Sequence, residues 1–180
     1  MYEVELKVRA DHEAVRARLE RLGAERLGRV SQRDTYYDAP HREFPETDEA
    51  LRIRHVAGPE GERAKLAYKG PLVEAASKTR EEHETAVSDP DATAAALEGL
   101  GFSPAATVEK ERERYRLDGY TVTLDDVDGL GEFVEVEREA TEEEVERVRE
   151  GAERVLRDLG LDPAAGIRTS YLGLLLDDSG

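Results

Sequence analysis

Apolar and charged residues alternate strictly from the first position of this chain. In Met1 to Arg9, Tyr2, Val4, Leu6 and Val8 fall on one side and Glu3, Glu5, Lys7 and Arg9 on the other. A period of two predicts a β-strand with two chemically different faces. Two-faced segments recur over Gln32–Asp38, Glu49–Val56, Ala64–Lys69, Arg80–Val87, Thr107–Arg116, Tyr120–Asp125 and Glu132–Arg138, so the pattern predicts eight strands. Elsewhere the spacing turns helical. Asp11 is a predicted N-cap ahead of Ala14, Val15, Leu19 and Leu22, and an Ala-rich helix spans Asp91–Leu100. Thr141-Glu142-Glu143-Glu144 reads as a capping box opening a long helix, with Val145, Val148, Ala152, Val155, Leu156 and Leu159 on one face. Ser170–Leu176 predicts a last short apolar helix. His41–Asp48 holds Pro45 and no periodicity, which predicts a loop, and Gly58–Gly61 predicts a turn.

A charged strand face in water is the ordinary arrangement for one strand alone. Eight such strands alter the balance, because their apolar faces must meet something. Closed into an antiparallel barrel, they pack those faces outward under helices and turn the charged faces into a lumen. The predicted fold is therefore α+β: an eight-stranded antiparallel β-barrel with helices packed outside, as a single domain over residues 1–180. A faint internal repeat suits two similar halves. Glu3-x-Glu5, a helix and Leu22-Gly23 recur as Glu82-x-Glu84, a helix and Leu100-Gly101.

The lumen then acquires a chemistry. Arg52, Arg54, Lys69, Arg80, Lys110 and Arg112 contribute basic groups, while Glu3, Glu5, Asp125, Glu135 and Glu137 contribute carboxylates. Burying like charges alone is prohibitive. A polyphosphate offsets the basic set, and a divalent cation lets the carboxylates sit beside it, since Mg²⁺ takes a few carboxylates plus phosphate oxygens. Each element also has a plainer reading. Glu3 and Glu5 alone are an exposed strand edge, the arginine and lysine pairs alone are solvated or cross-strand partners of Glu, and Glu109–Arg114 also suits an exposed helix. His12, His41, His55 and His83 have no ligand spacing. Asp125–Gly129 lacks the twelve-position spacing of a calcium loop.

Composition narrows the partners. The net charge of −16 on 180 residues argues against sequence-independent binding to nucleic acid or to an anionic membrane. There is no Cys, hence no disulfide framework and no thiolate chemistry. No apolar run reaches membrane-spanning length, and the expected location is cytoplasmic. Lys is confined to Lys7, Lys65, Lys69, Lys78 and Lys110 against 42 Asp plus Glu, a balance suited to a high-salt, halophilic cytoplasm. A homodimer is an assembly the sequence leaves open.

The ordered motifs resemble those of the CYTH proteins, the triphosphate tunnel metalloenzymes that include class IV adenylyl cyclases and thiamine triphosphatases. The resemblance rests on E-V-E-L-K (Glu3–Lys7), D-T-Y-Y-D (Asp34–Asp38), L-R-I-R (Leu51–Arg54), Y-K-G-P (Tyr68–Pro71) and K-T-R-E-E (Lys78–Glu82). It continues through K-E-R (Lys110–Arg112), L-D-D-V-D-G-L-G (Leu124–Gly131) and F-V-E-V-E (Phe133–Glu137). It implies a tunnel that binds a nucleoside triphosphate or inorganic triphosphate. Glu3, Glu5, Asp125, Glu135 and Glu137 would hold Mg²⁺ or Mn²⁺, and Lys7, Arg52, Arg54, Lys69, Arg80, Lys110 and Arg112 would bind phosphate. Tyr36 and Lys69 match a pair thought to help activate water in thiamine triphosphatases. The segments Asp38–Arg54 and Leu124–Gly131 look more like the cyclases, so ATP to cyclic AMP plus pyrophosphate is the first expectation. A triphosphatase uses the same ligands, and a non-catalytic polyphosphate-binding module needs only the basic ladder.

Overall fold

The computed structural model describes residues 1–73 and 79–179, the side chains of 178 and 179 excepted. Eight strands close into an antiparallel barrel: β1 (Tyr2–Arg9), β2 (Glu25–Asp38), β3 (Ala50–Gly58), β4 (Gly61–Lys69), β5 (Arg80–Ala86), β6 (Ser103–Leu117), β7 (Tyr120–Val127) and β8 (Gly131–Ala140). Around the barrel they run β1-β5-β4-β3-β2-β6-β7-β8. The helices are α1 (His12–Arg21), α2 (Phe44–Thr47), α3 (Pro90–Gly99), α4 (Val145–Asp158) and α5 (Tyr171–Ser179). None of the described helices is long and apolar enough to cross a membrane. The predicted barrel and its helices are thus present, and Lys78 of the K-T-R-E-E motif lies outside the described residues.

The main hydrophobic core sits outside the barrel wall, as alternation requires. Val4, Leu6 and Val8 of β1 join Val122 and Leu124 of β7 and Val134 and Val136 of β8. Val15 and Leu19 of α1 and Val148, Ala152, Val155 and Leu156 of α4 cover them. Each such side chain contributes roughly 1.5–3 kcal/mol on burial. Helix α1 starts where Asp11 accepts a hydrogen bond from Glu13 N at 3.0 Å. In α4 the apolar positions recur at helical spacing, and Gly151 lies against the hydroxyl of Tyr120, which donates to Val148 O at 2.8 Å. A smaller cluster of Tyr36, Val108, Val127, Phe133 and Tyr171 gathers inward-facing residues from four strands around the first turn of α5.

Three departures from the sequence reading have local causes. Strand β2 begins at Glu25, seven residues before its predicted start, because Gly28 (φ +126°) makes a bulge and does not end the strand. Residues 44–47 form a short helix where a loop was expected. Pro45 occupies the opening turn, where a missing N–H costs nothing, and Phe44 is buried beneath it. Thr141–Glu144 keeps its reciprocal hydrogen bonding, yet Glu142–Glu144 winds as a 3₁₀ turn before α4 begins at Val145.

Candidate active site

Alternation decides which side chains enter the lumen. Inward positions of all eight strands line one cavity of about 940 Å³. Of the sequence-predicted residues, Glu3, Glu5, Tyr36, Arg52, Arg54, Lys69, Arg80, Lys110, Arg112, Glu135 and Glu137 line it, while Lys7 and Asp125 do not. Lys7 shares the inward face of β1 but is 1% exposed, covered by the C-terminal segment: its ammonium donates to Thr169 O and lies 4.2 Å from the Tyr171 ring centroid.

The acidic residues divide into two groups. Glu5 and Glu137 are direct cross-strand partners on β1 and β8, and with Glu3 their carboxylate oxygens lie within 4.8 Å of one another. Burial and then the charges of Glu3 and Glu5 push Glu137 up to about 8. Glu3 escapes this: burial works upward, but Lys69, 3.0 Å away, holds it down at about 2. Three hard oxygen donors crowded together, one of them driven toward protonation, fit a divalent cation such as Mg²⁺ or Mn²⁺.

Asp125 and Glu135 form the second group, on arginine. Arg112 donates from Nε to Asp125 Oδ1 and from Nη2 to Oδ2, both at 2.7 Å, and Tyr171 Oη donates to Oδ2 at 2.9 Å. Glu135 lies 3.6 Å from Arg112. Burial works against the ionised Asp125, and Arg112 with Lys110 overcomes it, holding the carboxyl well below the usual range.

The basic wall is equally specific. Arg52 is held charged against burial by Asp34, Tyr36 and Glu82, and Lys69 against burial by Glu3. Lys110 goes the other way: burial and the neighbouring Arg112 press it down to about 7. Among the described residues, the buried Nε–H groups of Arg52, Arg80 and Arg114 have no acceptor. Three orphaned guanidinium donors on β3, β5 and β6, on the wall of one cavity, fit an anion with several oxygens.

Several site residues escaped the sequence reading. Asp34 is fully buried and bonds Arg54 through both oxygens, at 2.6 and 2.8 Å. Its place directly opposite Arg54 was not visible without the register. Glu82 shares a hydrogen bond with Glu3 and lies 3.7 Å from both Lys69 and Arg52. Burial and Glu3 raise it to about 7. Its alternation with Arg80 and Glu84 was the available signal. Arg114 continues the Lys110–Arg112 spacing on β6, and Tyr171 arrives from α5, far outside any strand pattern.

A closed eight-stranded tunnel thus holds a glutamate cluster beside a wall of arginine and lysine. The chain belongs to the CYTH family, whose domain it matches over residues 1–171. CYTH proteins bind nucleoside or inorganic triphosphates and use divalent metals. A protein of Methanocaldococcus jannaschii named as a candidate adenylate cyclase is 37% identical over 176 residues, covering 97% of this chain and 98% of its own. The adenylate cyclase CyaB of Aeromonas hydrophila is 28% identical over 137 residues, covering 75% of this chain and 68% of its own. The PH1819 protein of Pyrococcus horikoshii OT3 superposes with a TM-score of 0.91 at 38% identity, over 98% of this chain and 99% of that one.

Proposed function

We propose that this protein is a divalent-cation-dependent adenylate cyclase that takes ATP into the tunnel and releases cyclic AMP and pyrophosphate. The observation that carries the reading is the presence of two arrays in one cavity: the carboxylates of Glu3, Glu5 and Glu137, and the orphaned donors of Arg52, Arg80 and Arg114. Phe44, Pro45, Leu51 and Leu172 line the same cavity and offer an apolar surface to a purine ring.

In this reading Glu3, Glu5 and Glu137 hold the Mg²⁺ or Mn²⁺, which supplies Lewis-acid polarisation of phosphoryl oxygen. Arg52, Arg54, Arg80, Lys110 and Arg112 orient the triphosphate and stabilise the charge that develops as the ribose 3′-oxygen attacks the α-phosphorus. Lys69, fixed between Glu3 and Glu82, stays protonated and acts as a cation. Tyr36, hydrogen-bonded to Arg52, steadies that guanidinium at the cavity wall. The tunnel encloses the reacting groups away from bulk water, which strengthens each of these interactions.

A triphosphatase is the second reading, because the same cation and cationic wall serve attack of water on a terminal phosphorus. The experiment incubates the purified protein with Mg²⁺ or Mn²⁺ and either ATP or inorganic triphosphate, at low and at high salt. Cyclic AMP with pyrophosphate supports the cyclase. Orthophosphate released from inorganic triphosphate replaces it with the hydrolase, and tight binding without turnover replaces both with a polyphosphate-binding module.

A further inference from the structure

Asp125 lies beside the glutamate cluster in the sequence pattern, yet the fold commits it elsewhere. It is fully buried, does not line the cavity, and receives three donors on its two oxygens: Arg112 Nε, Arg112 Nη2 and Tyr171 Oη. Lys110 Nζ stands 3.9 Å away. A cation at Asp125 would have to displace these donors and sit among positive charges.

From this arrangement we infer that Asp125 is a positioning residue that fixes Arg112 for phosphate binding, and that Glu3, Glu5 and Glu137 hold the divalent cation without it. The inference rests on the reading that the tunnel takes a cation and a polyphosphate.

Asp34 supplies independent support. It faces Arg54 across the β2–β3 ladder just as Asp125 faces Arg112 across the β6–β7 ladder. It too is fully buried, bonds its arginine through Nε and Nη2, and stands 4.0 Å from Lys110. Asp34 has no place in the glutamate cluster, so its work is that of a brace. The chain therefore builds one brace twice, on either side of Lys110. Each arginine turns its Nε–Nη2 edge to the aspartate, which fixes the plane of the guanidinium and leaves the Nη1 side to meet a phosphate oxygen. Tyr171 completes the second brace: its hydroxyl holds Asp125 while its ring lies 4.2 Å from Lys7 Nζ and 4.8 Å from Lys110 Nζ.

The test uses wild-type crystals grown with Mn²⁺ and inorganic triphosphate, and reads the anomalous difference map. The expected peak lies about 2.2 Å from oxygens of Glu3, Glu5 and Glu137, with Asp125 still bonded to Arg112. A Mn²⁺ ion bonded to Asp125 overturns the inference while leaving the functional reading in place. Wild-type protein that binds no Mn²⁺ overturns both. In solution, Asp125→Asn is expected to keep Mn²⁺ affinity within about threefold and to lose roughly tenfold in metal-free triphosphate affinity, whereas Glu137→Gln does the reverse. Asp125→Asn losing Mn²⁺ binding as Glu137→Gln does also overturns it. The crystallographic arm needs no variant, so it decides the question even where Asp125→Asn fails to fold.

Discussion

Glu5 on β1 and Glu137 on β8 stand directly opposite each other across the ladder, with their carboxylates turned into the same lumen. Like charges in that relation destabilise a sheet. A cation between them turns the repulsion into a binding site. Glu5→Gln is therefore expected to lower metal-dependent turnover at least about a hundredfold by removing a ligand, and to raise the melting temperature of the metal-free protein. Turnover assays and thermal melts check the two halves, and a variant that keeps most of its activity counts against the metal assignment.

The same crowding sets a pH dependence. Glu137 has an ordinary value of 4.5 and is raised to about 8 in the fold, and Glu82 is raised to about 7. A raised carboxyl stabilises the fold fully below its unfolded value, and that stability drains away as pH rises through the folded value. Metal-free protein is thus expected to lose stability as pH climbs from about 4.5 to about 7. Lys110, lowered to about 7, begins to act with the opposite sign only above that window. Added Mg²⁺ and, separately, Glu137→Gln should each flatten the profile of melting temperature against pH. A profile of metal-free protein that is flat from the start refutes this account.

Arg52 and Arg54 are two residues apart and face the same cavity, yet their loss should differ. Arg54→Met leaves Asp34 buried without its bidentate partner, and the expected cost is about 3–5 kcal/mol in urea unfolding. Arg52, whose Nε finds no acceptor and whose nearest carboxylate is Glu82 at 3.7 Å, is spent less on the fold. Arg52→Met should unfold close to wild type and lose at least about tenfold in triphosphate affinity by calorimetry.

Gly151 inverts a general rule. Glycine to alanine inside a helix ordinarily stabilises by about 1 kcal/mol. A Cβ at Gly151 meets the Tyr120 hydroxyl, which is held in place by its bond to Val148 O. Gly151→Ala is expected to destabilise by about 1–3 kcal/mol. Combining it with Tyr120→Phe, which removes the obstructing oxygen, should recover part of the loss in thermal melts.

How much of this was legible beforehand follows from periodicity. Glu3, Glu5, Arg52, Arg54, Lys69 and Glu137 could be assigned to a lumen because each alternates with an apolar neighbour that has to be covered, whereas Lys110 and Arg112 alternate with glutamates and were placed by the barrel as a whole. Strand β2 extends back from Gln32 to Glu25 only through its pairing with β6, in which Gly28 stands opposite Arg114 beside a bulge. Asp34 and Glu82 were in plain sight as residues, but what they touch depends on which strands are neighbours, and neither register nor barrel order is written in a period of two.

What the sequence determined by itself was the sidedness of every strand, and with it a charged interior under an apolar coat, since water and hydrocarbon sort side chains residue by residue. The tertiary structure decided which charges meet. Closing the barrel put Glu5 against Glu137, while the β6–β7 register gave Asp125 to Arg112 and the C-terminal helix brought Tyr171 to both lysines. These pairings act across gaps of 13 to 164 residues. A Coulomb interaction or hydrogen bond depends on distance in space, which the order of residues along the chain leaves open.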